Sequence, residues 1–306
     1  MAVIPDSTTH TARSVQALLS GSIDYAGLFP PTGLSMPEAV LNYAAYRNSN
    51  YNWMLGRFVL SVAQLDEFIE SAGDFISRDS NNIWRLSALS GEDLTDTVRR
   101  VESFNAKYAP GAIIDSLEVK ANSTSKIENT VNAVAPNINT YFEIGMNEKF
   151  SELMEIIAVK GQRAKIRTGG VTADAFPKTT DIIRFVKTCL AANVPFKATA
   201  GLHHPIRCFQ PLTYEPNAPT GTMHGFLNLF LMSGFAREGY RQNLLEEVME
   251  DEFEEVFRFD DNAAIWRDQY RLSLAQIERL RATGIQSFGS CSFAEPVADL
   301  QKLGVL

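Results

Sequence analysis

The sequence predicts an α/β fold, a (β/α)8 barrel with a long helical insertion between strands 7 and 8. Three observations point there. The 306 residues suit one barrel domain with an insertion. Apolar runs bounded by turn residues alternate with helix-period segments from end to end. Eight of those runs have strand length, the number that closes a barrel; a doubly wound open sheet is the competing arrangement for such alternation. Hydrophobic residues make up 45% and charged residues 21%, enough apolar surface for one large core.

The expected strands are Ser22 to Gly27, Arg57 to Val62, Ile83 to Leu89, Ala112 to Lys120, Thr140 to Gly145, Arg163 to Thr168, Pro195 to Gly201 and Ile285 to Ser290. Helical patterning fills Pro37 to Arg47, Ala63 to Phe75, Gly91 to Tyr108, Ser125 to Val134, Glu148 to Val159 and Thr179 to Asn193. Hydroxyl caps are available at Ser90 and Ser123, and Gly161 and Asn193 stand where helices should stop. The connection 202–284 is far longer than the rest and is expected to be mainly helical. It begins with Pro205, Pro211, Pro216 and Pro219 and continues as an apolar helix, Thr222 to Ala236, whose many apolar faces require burial. An acidic stretch, Glu246 to Asp261, follows. Such an insertion suits a lid over the site or a contact between subunits, so a homo-oligomer is expected.

Charge and cysteine usage narrow the class. A net charge of −8 argues against general nucleic-acid binding, which needs a basic face. Cys189, Cys208 and Cys291 are widely spaced, with no C-x-x-C pair, and read as reduced thiols of a cytoplasmic protein. Met1 to His10 lacks the basic and apolar regions of a signal peptide, and the most apolar stretch, Phe226 to Phe235, is too short to span a bilayer.

The chemistry concentrates at strand ends. Lys165 and Lys197 each close a short strand that stops at glycine, in K-I-R-T-G-G and K-A-T-A-G-L. Two strands of one βαβ unit delivering a lysine to the same sheet end would bring two ammonium groups together, each lowering the other's pKa and making an amine nucleophile available. Arg167 shares a face with Lys165 and Thr199 with Lys197, while Glu143 ends the fifth strand and Asp24 lies on the first. The fourth strand offers either Asp115 or, in the alternate register, Glu118 with Lys120. An isolated Lys or Glu is usually a solvated surface group; matched charges on neighbouring β-branched strands are costly to bury without purpose.

Small-residue loops supply a second signal. Thr168-Gly169-Gly170, Thr199-Ala200-Gly201 and Gly289-Ser290-Cys291-Ser292 follow the last three strands, where barrels often bind phosphate through backbone N–H groups and a helix N-terminus. Other readings of these residues are weaker. Neither H-x-H nor H-x-x-x-H spacing joins His203, His204 and His224, so no metal is expected. Ser290 and Cys291 lack a G-x-S-x-G elbow.

Several of these segments resemble the deoxyribose-phosphate aldolases. They are Ser22-Ile-Asp-Tyr-Ala-Gly-Leu-Phe-Pro-Pro-Thr, Phe142-Glu-Ile-Gly, Lys165-Ile-Arg-Thr-Gly-Gly, Lys197-Ala-Thr-Ala-Gly-Leu and Phe288-Gly-Ser-Cys-Ser. The resemblance lies in short motifs whose order and spacing agree from strand five to strand seven. It implies a class I aldolase on a TIM barrel that needs no cofactor. Lys165 would form the Schiff base, Lys197 would depress its pKa, and a strand-four carboxylate, Asp115 or Glu118, would move protons. Asp24 would belong to the same proton network, and Ser290 and Ser292 would bind phosphate.

The chain also departs from that pattern. Arg167 replaces a small residue, 202–284 has no counterpart, and His203-His204-Pro205 stands where a phosphate-site turn is expected. The expected substrate is a small anionic carbonyl compound, bound by Arg167, Thr168, Gly169, Thr199, Gly201, His203, His204, Ser290 and Ser292. Two alternatives use the same mouth: a sugar-phosphate isomerase, epimerase or phosphoribosyl-binding enzyme without a Schiff base, and a non-catalytic ligand-binding barrel.

Overall fold

The computed structural model describes residues 11–77 and 83–306; the reading of Met1 to His10 lies outside the described residues. Eight parallel strands close into a barrel. They are β1 (Ile23–Tyr25), β2 (Leu55–Ser61), β3 (Trp84–Leu89), β4 (Ala112–Lys120), β5 (Asn139–Glu143), β6 (Arg163–Arg167), β7 (Phe196–Thr199) and the last strand of the chain, β13 (Ile285–Ser290). β13 pairs with both β1 and β7, which closes the ring. The (β/α)8 barrel expected from the alternation is therefore the fold.

Helices α1 (Arg13–Leu19), α2 (Met36–Arg47), α3 (Leu65–Ala72), α4 (Leu94–Tyr108), α5 (Thr124–Ala133), α6 (Phe150–Val159) and α7 (Thr179–Ala191) precede and separate the first seven strands. Local chemistry sets their limits. Asp93 accepts hydrogen bonds from the Thr95 and Asp96 amides to start α4, and Ser123 accepts from Lys126 to start α5. Beyond α6, Gly161 takes a positive φ of 62°, a left-handed stop that glycine adopts without steric cost.

The connection 202–284 is more mixed than the expected helical insertion. It holds a hairpin of β8 (Cys208–Pro211) and β9 (Thr220–Met223), then α8 (Phe226–Arg237) and α9 (Gln242–Glu250). A three-stranded antiparallel sheet of β10 (Phe257–Phe259), β11 (Ala263–Trp266) and β12 (Tyr270–Ser273) follows, and α10 (Leu274–Thr283) leads into β13. α11 (Ala294–Lys302) ends the described helices.

The all-round apolar α8 is buried, as its pattern demands, but inside this chain. It packs on α7 and β13, where the Phe226 ring stacks on Phe288 at 4.7 Å and Phe230 meets the same ring edge-on at 6.1 Å. Phe226 and Phe230 are fully buried within the monomer and present no surface for a second subunit. α8 occupies the place of the barrel helix that follows β7. Among the described residues, no helix is long and apolar enough to cross a membrane.

Candidate active site

Register explains how the charged residues meet. Glu143, Lys165 and Lys197 are successive Cα partners across β5, β6 and β7, so one level of the barrel carries all three side chains. Ala164, Ile166, Phe196 and Ala198, the alternate residues, are buried and apolar, as expected for positions that face the helices. The fourth strand adds its carboxylate through an irregularity. Leu86 pairs with Ile114 but Ser87 pairs with Ser116, which inserts Asp115 as an extra residue in β4.

Beyond that insertion, Ser116 and Glu118 point toward the lysines. Ser87 donates to Glu118 Oε1 at 2.7 Å, and its oxygen lies 2.9 Å from the Ser116 hydroxyl.

Glu118 is the centre of the cluster. Its Oε2 accepts from Lys165 Nζ at 2.6 Å, and its Oε1 pairs with Lys197 Nζ. Lys165 also reaches Glu143 Oε2 at 2.8 Å. Lys197 bonds Asp24 Oδ2 at 3.2 Å and Ser87 Oγ at 3.3 Å, with its ammonium 4.8 Å from the Tyr141 ring centroid. Asp24 in turn accepts from the Ser287 hydroxyl at 2.7 Å and the Arg57 amide at 2.9 Å. Asp24, Lys165 and Lys197 are almost entirely inaccessible to solvent. Every charge in this set therefore has an opposite charge or hydrogen-bond partner, as burial in low dielectric requires.

The electrostatics differ from the sequence-based expectation in one respect. Two neighbouring ammonium groups should lower each other's pKa, yet a shared carboxylate stands between them. Burial pushes Lys197 down, but Glu118 and Asp24 outweigh it and hold the group above its ordinary value. Burial likewise pushes Glu118 up, and the two lysines reverse that, holding its carboxyl below the usual carboxylate range. Lys197 is thus a fixed cation.

Asp115, the other candidate on β4, lies outside this cluster. Its carboxylate is taken by Arg57, at 2.6 and 3.0 Å, and by Arg85 at 2.7 Å. Both arginines lie toward the N-terminal ends of their strands, the end opposite the loops that carry the mouth.

A cavity of about 260 Å3 opens above the lysines, lined by Glu118, Lys165, Arg167, Thr199, Gly201, His203 and Cys291 among others. Lys165 is the lysine that reaches it; Lys197 lies beneath, enclosed by its partners. Arg167 is exposed and also lines a neighbouring groove with Lys120, Lys126 and Glu143.

Several residues nominated for substrate contact do other work. Thr168 is buried, and its hydroxyl donates to the Ala200 carbonyl at 2.8 Å, tying the loops after β6 and β7 together. Gly169 lies against Gly201, where an added Cβ would come within 2.8 Å of the Gly201 Cα. Ser290 is buried, and its hydroxyl lies 3.4 Å from the Ser292 amide; Ser292, just before α11, accepts from the Glu295 amide of its first turn at 3.1 Å. His204 turns away from the mouth to Asp299, 2.7 Å distant.

The two histidines that follow β7 are paired with the chain's own carboxylates. Glu295 and Asp299 of α11 face His203 and His204. His224 bonds the Pro177 carbonyl at 3.0 Å. Among the described residues, no group of three or more His, Cys, Asp or Glu could hold a metal ion.

Sequence reasoning missed the pairing of His203 with Cys291, 3.6 Å apart. Eighty-eight residues separate them, and only their common position after β7 and β13 could have signalled the meeting. No protein-family model and no curated protein matches this chain.

Proposed function

We propose that the protein is a barrel lyase of the class I aldolase type, in which Lys165 forms a Schiff base with a small carbonyl compound. The observation that carries this reading is a buried lysine that opens on the mouth cavity with two carboxylates 2.6 and 2.8 Å from its Nζ. A nucleophilic amine must first shed a proton, and a proton acceptor within hydrogen-bond reach is the geometric requirement for that step. Glu143, slightly more exposed than Glu118 and held by one cation rather than two, is the better acceptor.

The neutral amine then adds to the carbonyl carbon, and loss of water leaves an iminium. A carboxylate, directly or through water, takes the proton of the substrate's β-hydroxyl; the Cα–Cβ bond breaks, the β-carbon leaves as the first carbonyl product, and the bond's electron pair flows to the iminium to give an enamine. Reprotonation at carbon and addition of water release the second product and restore Lys165. Lys197 keeps Glu118 ionised and placed, so that the iminium forms opposite a fixed negative charge. At the exposed rim, Arg167 lines the cavity and supplies a cation for an anionic group on the substrate.

The same geometry weighs against a proton-abstracting isomerase that uses Glu118. A carboxylate clamped between two ammonium groups and held below its usual range is a poor base. Borohydride trapping tests the proposal. Incubation with a panel of small aldehydes and ketones should give a reduced adduct mapped to Lys165 and absent from Lys165→Met. A panel that leaves no adduct on the wild-type protein would overturn it.

A further inference from the structure

The mouth cavity has a second wall of different chemistry. Cys291 directly follows β13, and its sulfur lies 3.6 Å from Nδ1 of His203. Glu295 Oε2 approaches the same ring nitrogen at 3.4 Å, and the Tyr214 hydroxyl donates to that carboxylate at 2.9 Å. Four segments thus converge: the loop after β7, the loop after β9's partner strand β8, the end of β13 and the first turn of α11. Both Cys291 and His203 line the cavity into which Lys165 opens.

His203 Nδ1 faces both a sulfur and a carboxylate; with the proton on that nitrogen both act as acceptors, the environment that keeps an imidazole protonated and a neighbouring thiol ionised. Burial opposes both, but the pairing prevails: His203 is pushed up to about 9, and Cys291 is held below its ordinary value by His203. The other cysteines provide the contrast. Cys208 is more exposed, yet burial and the carboxylates of Asp299, Glu252 and Glu295 push it up to about 12. Cys189 is fully buried, and its thiol is pushed well up.

We propose that Cys291 is a covalent modification site: a thiolate paired with the His203 imidazolium that hydrogen peroxide, small enough to enter the mouth cavity, oxidises to a sulfenic acid. The sulfur lone pair attacks one peroxide oxygen, the S–O bond forms, and the O–O bond breaks. The departing hydroxide takes the Nδ1 proton of His203 and leaves as water; sulfur is oxidised and the peroxide reduced. The new S–OH projects into the cavity that any ligand of Lys165 must use, so oxidation closes that cavity to carbonyl compounds.

The thiol chemistry does not rest on the aldolase reading, and one experiment separates the two. The full chain is treated with hydrogen peroxide and dimedone at pH 7, and adducts are mapped by mass spectrometry over time. Cys291 should label at least about tenfold faster than Cys208 although it is the more buried, and His203→Gln should slow it by about tenfold. Labelling of Cys208 as fast as Cys291 in the wild-type protein overturns the proposal without recourse to any variant. So does a folded His203→Gln protein whose Cys291 rate is unchanged. If peroxide labels Cys291 while borohydride traps nothing on Lys165 in the untreated protein, the modification site stands and the aldolase reading falls.

Discussion

Strand β4 carries two carboxylates three positions apart, and each is shared by two cations, but the two clusters serve opposite ends. Glu118 binds Lys165 and Lys197 beneath the mouth, almost without solvent. Asp115 binds Arg57 and Arg85 toward the strand starts, with the Arg85 side chain 59% exposed. The difference lies in what the cations can do. A guanidinium stays protonated and grips a carboxylate through two parallel bonds, so the lower cluster is a clamp. An ammonium is a point charge that can lose its proton to a neighbour, so the upper cluster can do chemistry while it holds the strands together.

The largest effect expected from this contrast follows exchange of the cation type. Lys165→Arg keeps the charge and the carboxylate partners but removes the amine, and borohydride trapping should vanish entirely. Arg57→Lys, the converse exchange below, should leave trapping intact. If Lys165→Arg still traps carbonyl compounds, the adduct lies elsewhere and the contrast fails.

Stability should separate the clusters next. Glu118→Gln removes the charge between two buried ammonium groups, and breaking such an arrangement costs about 3 to 5 kcal/mol, readable from the urea midpoint at constant slope. Arg85→Ala below should cost under about 1 kcal/mol, because an exposed partner gains little from pairing. A loss at Arg85 equal to that at Glu118 would show that exposure does not distinguish the two sites.

Acid provides a finer measure. Glu118 is held below its ordinary carboxylate range in the folded chain. Its contribution is therefore complete above the unfolded value near 4.5 and is lost as pH falls below it. Unfolding free energy should decline with acid in that window, and the decline should be shallower in Glu118→Gln by the share of this one group. Arg57→Lys should cost about 1 to 2 kcal/mol in the same urea titration for the lost second hydrogen bond to Asp115, between the losses at Glu118→Gln and Arg85→Ala.

Much of this arrangement was legible in the sequence, and unevenly so. The limits of β4 and β13 match the apolar runs residue for residue, and the two lysines fall opposite each other because both strands end on the same short pattern. The choice between Asp115 and Glu118 was not legible. It turns on one inserted residue in the β3–β4 pairing, and a two-residue alternation cannot reveal where it slips.

The connection 202–284 hid its strands for a different reason. β10, β11 and β12 are three or four residues long and include Arg258 and Arg271, so they resemble the charged stretch around them. The helix α1 also lacked an announced cap: Ala12 precedes it and offers no side-chain acceptor. Candidate ligands Thr168, His204, Ser290 and Ser292 stand at or beyond the C-terminal ends of β6, β7 and β13. Their partners, a carboxylate, a carbonyl and two backbone amides, come from loops whose paths a sequence does not specify.

The stacking of Phe226 on Phe288 bears on how this long chain can be cut and rejoined. A protein engineer seeking a minimal barrel would be tempted to delete everything between β7 and β13 as a cassette. That deletion would strip the outer wall from β13, whose Ser287 faces inward to Asp24 on the other side. Nor is the stretch from α9 through β12 removable, because α9 covers α7 and α8, and the buried Asn228 of α8 donates to the Val248 and Asp251 carbonyls. A graft that rejoined Arg237 to Leu274 would leave α8 in place but bare on the face that α9 covers, so the connection has to be kept whole.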